Sequence, residues 1–291
     1  MAVCAMGAFA QAENSNEVLT KKGFKILPEA GDIALGVDAA PFLNYAGNFL
    51  NGATTNTAPT FGSQGFGIYG KYFLDNDVAV RARLNVHTGR TVYKQTVADD
   101  YKTALPEYAG QSPTTVDVMT AGSTAVSLAV GYEMRRGYRR LQGFYGAEFA
   151  CSFSTSNDAY EWGNPLSEGN QAPTWHNFST NATSTAGTRT TLVNNGKTFG
   201  VGVNGFVGVE YFVASKISVG GQLLLGITGS NTGQTETTTE SWDTGTASVI
   251  ERTVRSRNAS TSTAPDHPSV PSGNFAFRTV NTGAIFVMFH F

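Results

Sequence analysis

Seven charged residues are the side chains in this sequence whose types could build a reactive or a structural polar site. Aspartate and glutamate beside lysine and arginine can act as general acids and bases, can line a gated pore, or can pair as a polar core. Because these residues are spread along most of the chain, the elements that carry them must decide among the three roles. They are Asp38, Lys71, Arg81, Arg83, Glu133, Glu148 and Glu210.

Other motifs that could carry chemistry are weak. Residues 200–205 match the glycine pattern of dinucleotide-binding loops, but that motif needs a strand-to-helix turn, and here it lies in an alternating stretch. No two of the four histidines have metal-site spacing. Cys151 has no partner if Cys4 belongs to a secretion signal. We predict no metal, no cofactor and no nucleotide site, and keep a lipid-acting enzyme only as an alternative.

Composition and charge exclude some classes of protein. Charged residues make up 14% of the chain, below the roughly 25% of soluble domains. The 20 basic and 22 acidic residues nearly cancel, so no basic surface for nucleic acid is indicated. No apolar run reaches the roughly 20 residues of a membrane-spanning helix, and the mean hydropathy is -0.16. If this chain crosses a membrane, it crosses with strands.

Eight stretches alternate between apolar and polar residues, which is the pattern of β-strands with two different faces. In residues 77–87, for example, Val80 and Leu84 share one face and Arg81 and Arg83 share the other. The same alternation places the seven charged residues opposite the apolar ones. The stretches are 33–38, 66–72, 77–87, 124–134, 141–153, 199–211, 217–227 and 277–291.

The connections between these stretches alternate in length. Tight turns at 75–76, 136–139 and 213–215 are separated by long connections at 41–64, 88–122, 154–197 and 229–274. Membrane barrels combine short periplasmic turns with long extracellular loops, and all ten prolines fall outside the stretches, as strand ladders require. We predict an all-β fold, an eight-stranded antiparallel up-and-down transmembrane β-barrel with four long extracellular loops. A soluble barrel or sandwich is the alternative.

The start of the chain resembles the end of a signal peptide. A short apolar stretch ends in Ala8-Phe9-Ala10 before polar residues begin. We predict a signal-peptide remnant at 1–12, a periplasmic segment at 13–30 and the barrel at 31–291. Lipid attachment at Cys4 is a weaker alternative, because too little apolar sequence precedes it.

Aromatic residues share the outward face near the turn-side ends of several stretches, where membrane barrels carry an interfacial girdle. They are Tyr72, Tyr132, Tyr211, Phe289 and Phe291. With the signal-like start and eight stretches, the sequence resembles the small outer-membrane barrels of the OmpA and OmpX type. The resemblance implies a place in the cell outer membrane, among its lipid and lipopolysaccharide. It also implies an assembly signal at Phe291, with Phe289 on the same face, that the barrel-assembly machinery reads.

An eight-stranded barrel has an interior that side chains just fill. We therefore predict that the seven charged residues pair as a polar network, with a narrow or gated pore for small solutes as the alternative. Residues 234–242 and 247–255 are β-prone. We predict that they extend strands seven and eight as a hairpin with an open sheet edge.

The long loops carry aromatic residues that could stack on sugars or anchor a protein. Packing of the loops against one another is the alternative. We predict a non-enzymatic outer-membrane protein with a binding or structural role, as a free barrel or a subunit of an envelope complex. An envelope protein is the candidate partner, and nucleic acid is not. The candidate loop contacts are Tyr101, Tyr160, Trp162, Trp175 and Trp242.

Overall fold

The structure is a computed structural model that describes residues 18–19, 23, 25–39, 42–43, 46, 48, 50–52, 66–256 and 274–291. The predicted signal remnant at 1–12 lies outside these residues. Within the described part of the chain, no helix is both long and apolar enough to cross a membrane.

Antiparallel β-strands make up most of the described chain, so the all-β prediction is confirmed. Helix α1 (Asp100–Thr103) and a 3-10 turn (Pro106–Tyr108) connect β3 to β4. The strands are β1 (Ile33–Asp38), β2 (Phe66–Asp75), β3 (Val78–Ala98), β4 (Thr114–Tyr138), β5 (Leu141–Glu161), β6 (Trp175–Asn177), β7 (Ala182–Ser184), β8 (Thr188–Ala214), β9 (Ile217–Thr232), β10 (Thr235–Asp243), β11 (Ser248–Ser256) and β12 (Asn274–His290).

Eight of the strands pair with their neighbours in a closed ring. The order is β1, β2, β3, β4, β5, β8, β9 and β12, and β12 pairs with β1 again. At the closure, the Ile33 amide donates to the Phe291 carbonyl oxygen at 3.2 Å, and the Phe291 amide donates to the Ile33 carbonyl oxygen at 2.8 Å. These strands contain the eight predicted stretches, and the tight turns lie together at what we name the turn end.

The ring has an apolar outer face and a filled interior. In β9, Leu223 and Leu225 point outward and are 60% and 64% exposed, whereas Gln222 and Leu224 are buried. This follows from strand geometry, because successive side chains point to opposite faces of a sheet. The period-two pattern of the sequence therefore becomes a physical separation of two environments.

Four ring strands extend beyond the ring itself, so the predicted long loops are shorter than expected. β3, β4, β5 and β8 continue beyond the ring as the upper sheet, which β10 and β11 complete. Much of the connections predicted at 88–122 and 154–197 is therefore strand. Their residues are rich in threonine and serine and do not form one apolar face, so hydrophobic periodicity could not detect these extensions.

The predicted hairpin is present as β10 and β11. β10 continues β9 along the upper part of β8 in the same register, with Thr232 opposite Thr198 and Glu236 opposite Asn194, and β11 pairs with β10. β9 gives way to β10 at a close backbone approach. A Cβ on Gly196, whose φ is +79°, would lie 2.7 Å from the Gly233 carbonyl oxygen. Glycine is required there on both counts.

The described part of the predicted periplasmic segment packs at the turn end. Ile26 is fully buried, and the Ser215 hydroxyl donates to the Lys25 carbonyl oxygen at 2.8 Å. The Lys216 ammonium pairs with the Asp32 carboxylate. The segment before β1 is therefore held against the turn between β8 and β9.

Candidate functional site

The interior of the ring contains a continuous series of ion pairs, which we name the ladder. Glu210 accepts a hydrogen bond from Arg135 Nη2 at 2.6 Å and lies 3.3 Å from Lys71 Nζ. Lys71 Nζ also donates to Glu133 Oε1 at 2.8 Å. The second oxygen of Glu133 lies 3.6 Å from Arg81 Nη1. Cations and anions thus alternate along the first half of the ladder.

The second half of the ladder continues from Arg81. Its Nη2 lies 3.6 Å from Glu148 Oε2, and Arg83 Nη2 donates to Glu148 Oε1 at 2.7 Å. Two neutral amides complete the set, since Asn204 Nδ2 donates to Glu148 at 3.2 Å and Gln222 Oε1 accepts from Arg81 at 2.9 Å. Each buried charge therefore has an opposite charge beside it, which offsets the cost of removing it from water.

Strand register and an inward glycine bring the ladder together. Lys71 and Arg81 are directly opposite in the pairing of β2 with β3, and Arg81 is opposite Gly131 in the pairing of β3 with β4. A Cβ on Gly131 would lie 2.7 Å from the Glu148 Cβ. Real side chains do not approach that closely, so glycine at this position leaves the space that Glu148 occupies.

The structure places six of the seven predicted network residues in the ladder. Asp38 lies at the far end of β1, with its Cβ 3.7 Å from where a Cβ on Gly67 would be, and its place in the network stays a prediction. The predicted network did not include Arg135, although this residue continues the inward alternation of Glu133. The predicted network also left out four buried polar side chains beside the ladder. They are Asn204, Ser218, Gln222 and His290.

Aromatic rings fill the space around the ladder. Lys71 Nζ lies 4.5 Å from the Phe144 ring centroid, and the Arg81 guanidinium carbon lies 3.9 Å from the Phe206 centroid. The Phe144 and Phe286 centroids are 6.0 Å apart. A cation over a ring face is attracted by the ring quadrupole. The aromatic side chains and the ion pairs of the ladder therefore pack together as one core inside the ring of strands.

Ser218, His290 and Glu210 lie together without the geometry of a catalytic triad. The Ser218 hydroxyl is 2.5 Å from Glu210 Oε1 and 3.0 Å from His290 Nε2, and the same Nε2 is 3.2 Å from Glu210. A triad histidine uses one ring nitrogen for the nucleophile and the other for the acid. All three side chains are buried. They are best described as polar packing at one end of the ladder.

Residues 162–187, between β5 and β8, fold over the upper sheet, and we name them the cap. Asp117 on β4 is fully buried and accepts hydrogen bonds from the amides of Gly163 at 2.8 Å and His176 at 2.7 Å. Asn164 Nδ2 donates to the Ala98 carbonyl oxygen at 2.7 Å. These bonds fasten the cap to β3 and β4.

Three of the predicted loop contacts lie in one aromatic cluster at the cap. Trp162 stacks on Tyr160 with centroids 5.5 Å apart and meets Trp175 edge-on at 5.1 Å. Each indole N–H donates to a carbonyl oxygen, from Trp175 to Ala186 at 3.0 Å and from Trp162 to Thr190 at 3.1 Å. Trp175 is buried and packs within the cap, and its role as a ligand contact stays a prediction.

The remaining predicted loop contacts are not brought together. Tyr101, on α1, is 73% exposed, whereas Trp242 is half-buried on β10.

In the aromatic cluster at the cap, burial raises the pKa of the Tyr160 phenol above its ordinary value, and the Asp158 carboxylate raises it further. The phenol therefore stays protonated and neutral at physiological pH.

The contribution of Asp117 to the attachment of the cap can be tested locally. Asp117→Ala removes the acceptor of two amide hydrogen bonds, and we expect the cap to lose about 2 kcal/mol of local stability. Limited proteolysis should then cut within 162–187 faster while the ring remains folded. Glu168→Ala, on an exposed part of the cap, is the matched control and should be cut at the original rate. Equal cutting of the two variants would contradict this role of Asp117.

Comparison with known proteins does not assign this chain to a family. No protein-family model matches the chain, and no curated protein matches it. Among solved structures, the crystal structure of Acinetobacter baumannii CarO is similar over 92% of this chain and 100% of that chain, with 10% sequence identity and a TM-score of 0.28. That similarity is too low to transfer a function.

The described residues contain no group of side chains that is ready to bind a metal ion. Among residues 18–256 and 274–291, as far as they are described, no three His, Cys, Asp or Glu side chains are placed to hold a metal ion. In the interior, the buried charges of the ladder compensate one another. The upper sheet and the cap present an exposed surface.

Proposed function

We propose that this chain is a non-enzymatic outer-membrane protein whose ring is a closed, eight-stranded transmembrane β-barrel. The observation that carries the proposal is the apolar outer face of the ring. Large exposed apolar surfaces promote aggregation in water. In a bilayer, the same surfaces are in favourable contact with the lipid chains. Closure of the ring also leaves no unpaired strand edge at its turn end, and hydrocarbon requires backbone polar groups to be paired.

The height of the aromatic residues supports the same proposal. Tyr72, Tyr132 and Tyr211 are exposed near the turn ends of β2, β4 and β8. Phe289 on β12 and Phe291, which follows β12, are exposed at the same end. In a barrel they form the periplasmic girdle, in contact with lipid headgroups. The upper sheet and cap then face the outside, near lipopolysaccharide. Phe291 and Phe289 are the residues we propose for recognition by the barrel-assembly machinery.

We propose a binding or structural role for the barrel, not transport. The ladder and its rings occupy the interior, whereas the upper sheet and cap present a large folded surface beyond the bilayer. An envelope protein is the class of partner that such a surface fits, either for the free barrel or within a larger complex. A gated pore for small solutes is the competing function.

Electrical recording from the purified protein in planar bilayers separates these functions. We expect the folded chain to give no discrete conductance steps, because the ladder and rings block the interior. An unheated sample should first migrate differently from a heated one on an SDS gel, which reports the closed barrel. Conductance steps from protein that shows this shift would contradict the non-conducting role alone. Absence of the shift would contradict the barrel itself.

A further inference from the structure

The outer edge of β11 is an open strand edge. β11 pairs with β10 on one side, and within the described residues no strand pairs with its other side. All nine of its residues are exposed, among them Val249, Ile250 and Val254. An exposed edge of this length presents free N–H and C=O groups to another strand. Proteins usually cover such an edge or use it for binding.

The charges on β11 are only partly compensated by β10. Glu251 lies opposite Glu240, whose carboxylate is taken by Arg189 at 2.6 Å. Within the described residues, Glu251 has no ion pair of its own. Arg255 contacts Glu236 through Nε at 2.7 Å, and a guanidinium has further N–H donors. The edge therefore presents an anion and a cation four residues apart.

We propose that β11 pairs antiparallel with β11 of a second copy of this chain, about a two-fold axis at Thr253. This register places each Glu251 opposite the partner's Arg255, so two complementary pairs form across the edge. Opposite charges facing each other on neighbouring strands are stabilising, and like charges are destabilising. The exposed Val254 side chain lies opposite the aliphatic stem of Arg252 on the other face.

Symmetry limits the registers that this pairing can take. In a two-fold antiparallel pair, residues that face each other must lie on the same face of the sheet, so the axis passes through one residue. An axis at Arg252 sets two arginines against each other, and an axis at Glu251 sets two glutamates against each other. An axis at Val254 sets Glu251 opposite Arg257, which lies outside the described residues, and Arg255 opposite Thr253. Among the described residues, Thr253 is the centre that pairs Glu251 with Arg255.

The result is a homodimer in which the upper sheets of two copies form one continuous sheet. The pairing requires only that the β10–β11 hairpin is exposed, so it does not depend on the membrane location proposed above. In this dimer, the open edge of β11 is covered by a second copy of the same chain, which is present wherever the chain is made. The surface therefore needs no other partner to be covered.

Cysteine scanning of the full chain in detergent tests the register, with Cys4 and Cys151 replaced by serine. We expect T253C to form a disulfide-linked dimer on oxidation, and R252C or V254C alone to form little. A mixture of R252C and V254C proteins should crosslink, because these positions face each other. No crosslinking at any of the three, or self-crosslinking strongest at 252 or 254, would overturn the proposal.

Charge reversal tests the energetics independently. E251R and R255E should each raise the dimer dissociation constant by about tenfold, since two attractive pairs become repulsive. Mixing the two variants should restore dimers, because each reversed charge then meets its opposite. R252E, which faces Val254, is the matched control and should dimerise normally. Failure of mixing to restore dimers would overturn the proposal, and the heat-dependent gel shift would show separately whether the barrel is intact.

Discussion

Replacing Glu210 with alanine is expected to lower the free energy of unfolding by about 3–5 kcal/mol. The Glu210 carboxylate is fully buried, accepts a hydrogen bond from Arg135 and lies beside Lys71. Its removal leaves two cations inside the ring with one anion fewer to compensate them. We expect a lower urea midpoint in detergent micelles, read from the fraction of protein with folded gel mobility.

An exposed ion pair of the same chemistry is the matched control. Glu236→Ala breaks the pair with Arg255, both of whose side chains are well exposed, and should cost no more than about 1 kcal/mol. A variant E210A that does not fold, beside a folded E236A, is the same result in its extreme form. Equal midpoints for the two variants would show that the ladder is not a structural core.

Replacing Leu223 with arginine is expected to cost about 2–4 kcal/mol when the protein is in lipid vesicles. Leu223 is outward-facing and 60% exposed, so in water an arginine there would be tolerated. In a bilayer the guanidinium must leave hydrocarbon or distort it. The measurement is urea unfolding of the vesicle-bound protein, followed by tryptophan fluorescence.

Leu192→Arg is the control for this test. Leu192 is also outward-facing and exposed, but it lies on the upper part of β8, beyond the ring. The proposed membrane does not reach it, so we expect a change within about 0.5 kcal/mol. If both substitutions are equally harmless, the outer face of the ring does not lie in lipid.

The ring could be predicted from sequence because its two faces carry different kinds of side chain. Leu223, Leu225 and Ile227 alternate with Gln222 and residues of the interior, and that period-two signal fixes both the strand and its orientation. Inward charges such as Lys71 and Glu133 could be assigned to the interior by the same alternation. Their proximity then followed from closure of the ring.

The outer end could not be predicted in the same way. In β10 and β11, threonine and charged residues occupy both faces, so no alternation shows which strand lies beside which. The interruption between β9 and β10, opposite Gly196, depends on backbone geometry at one residue. Trp175 carries the same ambiguity, because an aromatic residue in a polar loop has the same sequence whether it packs inward or faces a ligand.

The pairing of β1 with β12 also governs the order in which the protein can fold. It joins strands from distant parts of the chain, whereas the hairpins β2–β3, β4–β5 and β8–β9 join strands that follow one another. Contacts between distant segments form slowly, because the intervening chain must first lose its entropy. Closure is therefore expected as the last step, after a curved open sheet of hairpins has formed. Until then, the edges of β1 and β12 remain open to any other strand.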